Sequence, residues 1–381
     1  MWLNIYLLIT VALFIPYATI ILLYRKWFIK LKPFVIPEVF ESKIHFSIII
    51  PARNEEKNII PCLQSIFNQN FSQNLFEVIV IDDHSTDATT NLVKKFQQQY
   101  QNIKLICLED ELDGKKLNSY KKKAIEKGIE ISKGDWIITT DADCIVTKDW
   151  LLSFAAIIQK EEPVFVAAPV AFSNDRTILS TFQNLDFICL QGITAASVSA
   201  GFHSMCNGAN LAYKKSTFYE VDGFNGIDAI ASGDDMMLMN KIKQKFPSQM
   251  AFLFSKNAIV TTHPMPDWKS FLNQRIRWAS KADQLKDKNI FGVLVLVYFL
   301  NLLLFLMPLL AFFKPAILLI WLLFLLLKSV VEFLFLLPVG NFFGQSFISI
   351  PFFQPMHIMY TVIAGWFGKF GKYHWKGRQV K

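Results

Sequence analysis

No two cysteines in this chain stand at Cys-x-x-Cys spacing. There are five, Cys62, Cys107, Cys144, Cys189 and Cys206. An odd, scattered set argues against a disulfide framework and against a thiolate zinc site. It suits a reducing compartment, and each cysteine reads as a single buried thiol. A concentrated basic face is missing as well. The net charge is +8, but lysine and arginine are dispersed, whereas nucleic-acid binding wants them gathered with aromatics. Nucleic acid is therefore not an expected partner. The basic excess suits an anionic membrane leaflet and a polyanionic substrate. Nor does any charged side chain occur between Met1 and Tyr24.

What is present is apolar. Of 381 residues, 52% are hydrophobic, and the mean hydropathy is +0.32. That is too apolar for an ordinary soluble enzyme, while the charged middle speaks against a pure channel or transporter. Met1–Tyr24, at about 1.5 Å per helical residue, is long enough to cross a hydrocarbon core of about 30 Å. Its charges, Arg25, Lys26, Lys30 and Lys32, follow the apolar run, so it reads as a retained anchor rather than a cleaved signal. Positive residues stay cytoplasmic, which sets the N-terminus outside and everything after Lys32 inside. Ile290–Phe313 and Ala316–Leu337 are further spans, separated by Lys314-Pro315. Lys328 and Glu332 interrupt the second one turn apart, and are expected to pair on an inward face. Phe347–Phe367 is a fourth candidate.

The expected division is a transmembrane anchor (1–24), a basic linker (25–45), an α/β domain (46–265), an interfacial helix (266–289), a C-terminal membrane region of three segments (290–368) and a basic tail (369–381). Four crossings would place that tail outside, against the positive-inside preference. A re-entrant or interfacial last segment would remove the conflict.

From Phe46 the pattern alternates. Phe46–Ile50, Val78–Ile81, Ile103–Cys107 and Trp136–Thr140 are apolar runs of strand length. Between them lie helix-length stretches, Lys57–Gln69, Thr86–Tyr100 and Ser119–Ser132. Such alternation implies a mainly parallel sheet covered on both faces, with ligands beyond the C-terminal strand ends. Polar clusters fall at three of those ends: Pro51-Ala-Arg53-Asn54-Glu55, Asp82-Asp83-His84, and Asp141-Ala-Asp143. Asn54 or Asp87 alone would serve as a helix cap; together the clusters describe one crevice. Asp141 and Asp143 offer hard oxygen ligands suited to Mg²⁺ or Mn²⁺, which take one or two carboxylates plus substrate phosphates.

Farther on, Asn207-Gly208-Ala-Asn210 can bring backbone N–H groups close to a ligand. Asp234 and Asp235 open a helical pattern, where the positive N-terminus keeps a carboxylate ionised. A carboxylate so placed can take a proton from a substrate hydroxyl. Gln274-Arg-Ile-Arg277-Trp278 lies within about one helical turn, so its side chains converge. Arg277 can clamp a phosphate group bidentately, and Trp278 offers a flat aromatic face. An amphipathic helix at the membrane surface would account for Arg275 and Lys281.

Taken in order, these motifs resemble family 2 inverting glycosyltransferases. The Gln-x-x-Arg-Trp signature is similar to that of membrane-bound cellulose- and poly-N-acetylglucosamine-type synthases. The resemblance spans nearly all of residues 46–281 and implies a GT-A (Rossmann-like) α/β fold with transmembrane helices at both ends. It implies donor contacts at Pro51, Arg53, Asn54, Glu55, Asp82, Asp83, Lys122 and Asp141, with an Asp of the second cluster on the uracil. Asp143 and Asp141 would hold the metal. Asp235 and Asp234 would be catalytic, and Asn207, Gly208, Gln274, Arg277 and Trp278 would serve the acceptor and diphosphate.

The implied activity moves a sugar from a nucleotide sugar, of the UDP-sugar class, to a growing polysaccharide or cell-envelope glycan. A single addition to a membrane lipid stays open beside it. A catalytically inactive nucleotide-sugar-binding regulator would not need the complete carboxylate set. The expected setting is the cytoplasmic (inner) membrane, multi-pass, with the catalytic domain facing the cytoplasm. A homo-oligomer or an export partner would complete any polymer channel.

Overall fold

The computed structural model describes residues 1–381 apart from 113–118, 174–176, 229, 231, 285–286, 346–348, 372, 376–377 and 381. The chain divides into a helical unit (Met1–Leu31, Asn174–His203, Pro264–Lys381) and an α/β unit (Lys32–Ser173, Ser204–His263). Helix α1 (Trp2–Phe28) belongs to the first. The α/β unit then runs β1 (Phe46–Ala52), α2 (Ile59–Phe67), β2 (Phe76–Asp82), α3 (Thr89–Gln97), β3 (Ile103–Cys107), α4 (Leu108–Leu112), α5 (Tyr120–Ile131), β4 (Trp136–Thr139), α6 (Trp150–Glu161), β5 (Phe165–Ala167) and β6 (Val170–Phe172). After α7 (Ile178–Ser199) of the helical unit come β7 (Leu211–Lys214), α8 (Lys215–Glu220), α9 (Asp234–Lys245), β8 (Met250–Phe252) and β9 (Val260–Thr262). The helical unit closes with α10 (Trp268–Ala279), α11 (Lys288–Leu310), α12 (Ile317–Phe343), α13 (Ile350–Phe370) and the short strands β10 (Tyr373–Trp375) and β11 (Arg378–Val380).

The main sheet has the order β3-β2-β1-β4-β7-β5-β8. β1 to β4 pair in parallel, whereas β7 runs antiparallel to both β4 and β5. A strand covered on both faces reads as a near-continuous apolar run. Ile48, Ile49 and Ile50 in β1, and Val78 to Ile81 in β2, are fully buried. Burying each such side chain contributes about 1.5–3 kcal/mol. Helix α5 lies so close to β1 that a Cβ at Gly128 would stand 2.8 Å from the Ile49 side chain. Trp150 on α6 donates its indole N–H to Asn210 Oδ1 at 2.9 Å, and the Asn210 amide donates to the carbonyls of Pro169 and Ala258 at 2.7 Å each. That fully buried asparagine knits the loop before β7 into the core.

Among the described residues, three helices of the helical unit are long and apolar enough to cross a membrane: Leu3–Phe28, Lys288–Leu310 and Ile317–Phe343. The protein is membrane-embedded by this measure. Helix α13 forms where a fourth span was expected but is not among them. Its interior-facing positions include Gln354, which lowers its hydropathy. The charged pair within α12 is made: Lys328 Nζ is 2.6 Å from Glu332 Oε1 and 2.8 Å from Gln354 Oε1. Glu332 also accepts from the Tyr17 hydroxyl of α1. A buried cation in an apolar helix needs such partners.

Candidate active site

The strand order β3-β2-β1-β4 reverses direction of growth between β1 and β4, which opens a crevice at their carboxyl ends. Pro51 is still within β1, opposite Ile81. Arg53 Nη1 donates to the Asp83 carbonyl at 2.7 Å. The Asn54 N–H donates to Ser85 Oγ at 3.0 Å, and Asn54 Oδ1 accepts from the Thr86 N–H at 2.8 Å. The Glu55 N–H donates to Thr89 Oγ1 at 2.8 Å. Asn54 and His84 both adopt positive φ, 53° and 56°. Backbone strain of about 1–3 kcal/mol per such residue persists only where surroundings enforce it, and these cross-loop bonds do so. Asp83 Oδ1 is 2.9 Å from His84 Nδ1. Asp82 Oδ2 accepts from the Ser85 N–H at 3.1 Å. Its buried Oδ1 has no hydrogen-bond partner among the described residues.

β4 ends at Thr139, and Asp141 follows at the rim. Lys121, near the start of α5, reaches Asp141 Oδ1 at 2.7 Å and Asp234 Oδ2 at 3.8 Å. Burial lowers the Lys121 pKa, but Asp141, Asp234 and Asp235 outweigh it and hold the ammonium well above the ordinary lysine value. Gly233, at φ 81°, turns the chain directly before Asp234. That left-handed conformation costs a residue with a Cβ roughly 1–2 kcal/mol. Asp235 then accepts from the Gly208 N–H at 2.9 Å through Oδ2. The Gly208 carbonyl accepts from Thr139 Oγ1 at 2.8 Å. Asn207 Oδ1 closes the turn by accepting from the Ala209 N–H at 3.0 Å. The end of β4, the start of α9 and the 207–210 turn therefore meet around one lysine.

Among the described residues, no three His, Cys, Asp or Glu side chains gather closely enough to hold a metal by themselves. Asp141 and Asp143 fit a smaller demand, that of a Mg²⁺- or Mn²⁺-type cation that completes its shell with phosphate oxygens. Cys144 does not join them. Burial, then Asp143 and Asp141, push its thiol well above its ordinary pKa, so it remains a thiol, donating to Asp143 Oδ1 at 3.6 Å.

Two readings change. Lys122 was expected at the donor, but its ammonium is buried against the carbonyls of Ile227 and Ile230, at 2.6 and 2.5 Å. A one-residue step around α5 gives the crevice to Lys121. Arg275, for which an amphipathic membrane-surface helix was the alternative account, is buried and paired with Asp186 of α7 at 2.7 Å. Sequence reasoning missed Asp186, although it is the one charged residue in the 22 of α7, which is itself a signal. Gln274, Arg277 and Trp278 lie on α10 in the helical unit. Gln274 Oε1 accepts from Arg275 Nη1 at 2.7 Å, and the Arg275 guanidinium lies 4.2 Å from the Trp278 ring centroid.

Residues 47–216 match the model of glycosyl transferase family 2, and residues 136–366 that of glycosyl transferase family group 2. The probable glycosyltransferase YdaM of Bacillus subtilis is 27% identical over 236 residues, 61% of this chain and 54% of that one. The poly(ribitol-phosphate) β-N-acetylglucosaminyltransferase TarS of Staphylococcus aureus is 35% identical over 115 residues, 30% of this chain and 19% of that one. The chain thus spans about half the length of the first relative and about a fifth of the second. Mannosyltransferase PcManGT of Pyrobaculum calidifontis, solved with GDP-Man and Mn²⁺, superposes with a TM-score of 0.60 at 16% identity, over 94% of this chain and 97% of that one. That likeness is one of fold alone. With the second family model covering more than half of its length, the chain belongs to glycosyl transferase family group 2.

Proposed function

We propose that this protein is a membrane-bound inverting glycosyltransferase that moves a sugar from a nucleotide sugar, of the UDP-sugar class, to a polysaccharide or cell-envelope glycan. One observation carries the reading. Asp141 and Asp234, far apart in sequence, share Lys121, while Asp235 lies against the turn at Gly208. Donor, base and acceptor loop then belong to one crevice. Asp82 Oδ1, buried without a partner, is the acceptor that a nucleobase N–H would meet. Pro51, Arg53, Asn54, Glu55 and Asp83 shape the rest of the donor loop. Asn207 and Gly208, with the Gln274, Arg277 and Trp278 signature of the synthase-type enzymes, serve acceptor and diphosphate.

In the mechanism, Asp235 takes the proton of the acceptor hydroxyl as its oxygen attacks the anomeric carbon. Attack comes from the face opposite the departing diphosphate, so an α-linked donor yields a β-linked product. Lys121 places a fixed positive charge beside Asp141, and pre-organised charge of this kind lowers the cost of a developing diphosphate. A divalent cation on Asp143 and Asp141, when bound, supplies Lewis-acid neutralisation of that leaving group. Mn²⁺ in the mannosyltransferase complex supports this choice.

A membrane-lipid acceptor is the second reading, favoured by the three apolar helices. Product length separates the two: the polymer reading predicts extended chains, the lipid reading one addition. Cytoplasmic-membrane residence with the α/β unit facing the cytoplasm is part of the proposal, as is a second copy or export partner if the product is a polymer. The test of the activity is Asp235→Asn on purified membranes, with UDP-sugar donors and Mg²⁺ or Mn²⁺ supplied separately. Nucleoside diphosphate release should fall about 10²–10⁴-fold, with UDP affinity retained. Unchanged release would remove Asp235 as the base.

A further inference from the structure

Besides the Lys328–Glu332 pair of α12, the helical unit buries an ion pair at the signature helix α10. Asp186 Oδ2 accepts from Arg275 Nε at 2.9 Å and lies 2.7 Å from Nη2. Asp186 Oδ1 accepts from the Tyr360 hydroxyl and lies 4.0 Å from His357 Nε2. Both carboxylate oxygens are thus occupied. Arg275 Nη1 takes the carbonyl end of the Gln274 amide, at 2.7 Å. Its guanidinium also lies 4.2 Å from the Trp278 ring centroid and 4.7 Å from that of Phe271. Apolar residues of similar volume would join α7 to α10 at least as firmly, since burying two charges is expensive. What apolar residues would not do is fix the direction of an amide and the plane of an indole. A planar guanidinium does both.

We propose that Asp186 is a positioning residue that sets the side chains of Gln274 and Trp278 through Arg275, and thereby tunes engagement of the acceptor. With Oε1 held by Arg275, the Gln274 amide keeps its N–H donors for other partners. The Trp278 ring is held in one plane by the stacked cation. Network members on the neighbouring helix α13, Tyr360 and His357, steady the carboxylate rather than touch the signature. The inference rests on the proposed transferase activity and on the acceptor-side role given to Gln274 and Trp278.

The test uses the full chain in lipid nanodiscs with UDP-glucose or UDP-N-acetylglucosamine as donor and octyl β-glucoside as surrogate acceptor. Asp186→Asn should raise the acceptor KM by about ten- to a hundredfold, as small misplacements of a positioned group do, with UDP affinity within about twofold of wild type. The Trp278 contribution to fluorescence, isolated by difference against Trp278→Phe, should shift in the same variant. Asp186→Glu, which keeps the charge, should recover much of both. Arg275→Lys keeps a cation for Asp186 but loses the planar fork, so it should preserve thermal stability better than it preserves the Trp278 signal. If Asp186→Asn does not fold, Asp186→Glu and Arg275→Lys decide the matter by the same two readouts. An unaltered Trp278 spectrum in folded variants, or a loss of melting temperature with KM unchanged, overturns the inference. Absence of nucleoside diphosphate release by the wild type with every donor would instead count against the transferase reading, and the Trp278 signal would still decide the role of Asp186.

Discussion

At Lys121 a single ammonium faces Asp141 at 2.7 Å and Asp234 at 3.8 Å, with Asp235 adding to the field. Because these carboxylates raise its pKa despite burial, the stability it contributes is complete below the unfolded lysine value of 10.5 and is lost only as pH rises through the higher folded value. The ammonium therefore stays charged at neutral pH. Its removal should have two opposite effects. Lys121→Met should lower turnover about tenfold or more by deleting a fixed charge at the diphosphate. It should also tighten binding of Mn²⁺ alone, measured by electron paramagnetic resonance, because a competitor for Asp141 is gone. Mn²⁺ affinity that does not rise would count against Asp141 as a ligand. The lysine run was plain in the sequence, but the choice within it was not. Successive helical residues are rotated by about 100°, and three adjacent lysines leave no periodic mark of which one meets the sheet edge. Arg275 was hidden for the opposite reason: its partner Asp186 lies 89 positions away, beyond the reach of any local pattern.

Strand β2 carries a polar knot on its flank. Glu77 accepts from Ser47 Oγ at 2.7 Å, Lys104 Nζ at 2.8 Å and the Lys133 N–H at 2.5 Å. It thus ties β1, β3 and the turn before β4 together. Burial raises its pKa, yet the bonds from Lys104, Lys133 and Ser47 prevail and leave it below the unfolded value of 4.5. The sign follows: the contribution is full above pH 4.5 and disappears as pH falls through the lower folded value. Glu77→Gln should therefore cost about 1–3 kcal/mol at pH 7, with the gap from wild type closing in acid, as read by urea unfolding at several pH values. A constant gap would mean that shape, not charge, holds the knot. Strands β1 to β4 were legible because each is a short β-branched run between polar segments, and the motifs at their ends marked the crevice. The direction of β7 was not, since alternation is the same for parallel and antiparallel pairing. Helix α13 was legible as apolar, but the polar side chain it buries, Gln354, follows from packing that no single-helix pattern reveals.

Across the whole molecule, the number of crossings decides where the charges emerge. With Leu3–Phe28, Lys288–Leu310 and Ile317–Phe343 as the spans, the chain crosses three times. The α/β unit and the residues after Gly344 then share one side, and the turn at Lys314-Pro315 lies on the other. Lys30 and Lys32 would fall on the first side together with Lys369, leaving Lys314 as the exception. Such a topology would remove the conflict that four crossings created, because one side would collect the positive residues at both ends, as the positive-inside preference asks. Reporter fusions test it. Green fluorescent protein joined after Lys381 should fluoresce, and alkaline phosphatase at the same point should be inactive. Phosphatase fused after Lys314 should be active. Active phosphatase at Lys381 would mean that α13 crosses the bilayer after all, and that Gln354, His357 and Lys328 form a polar seam between two spanning helices instead of anchoring one that stays at the surface.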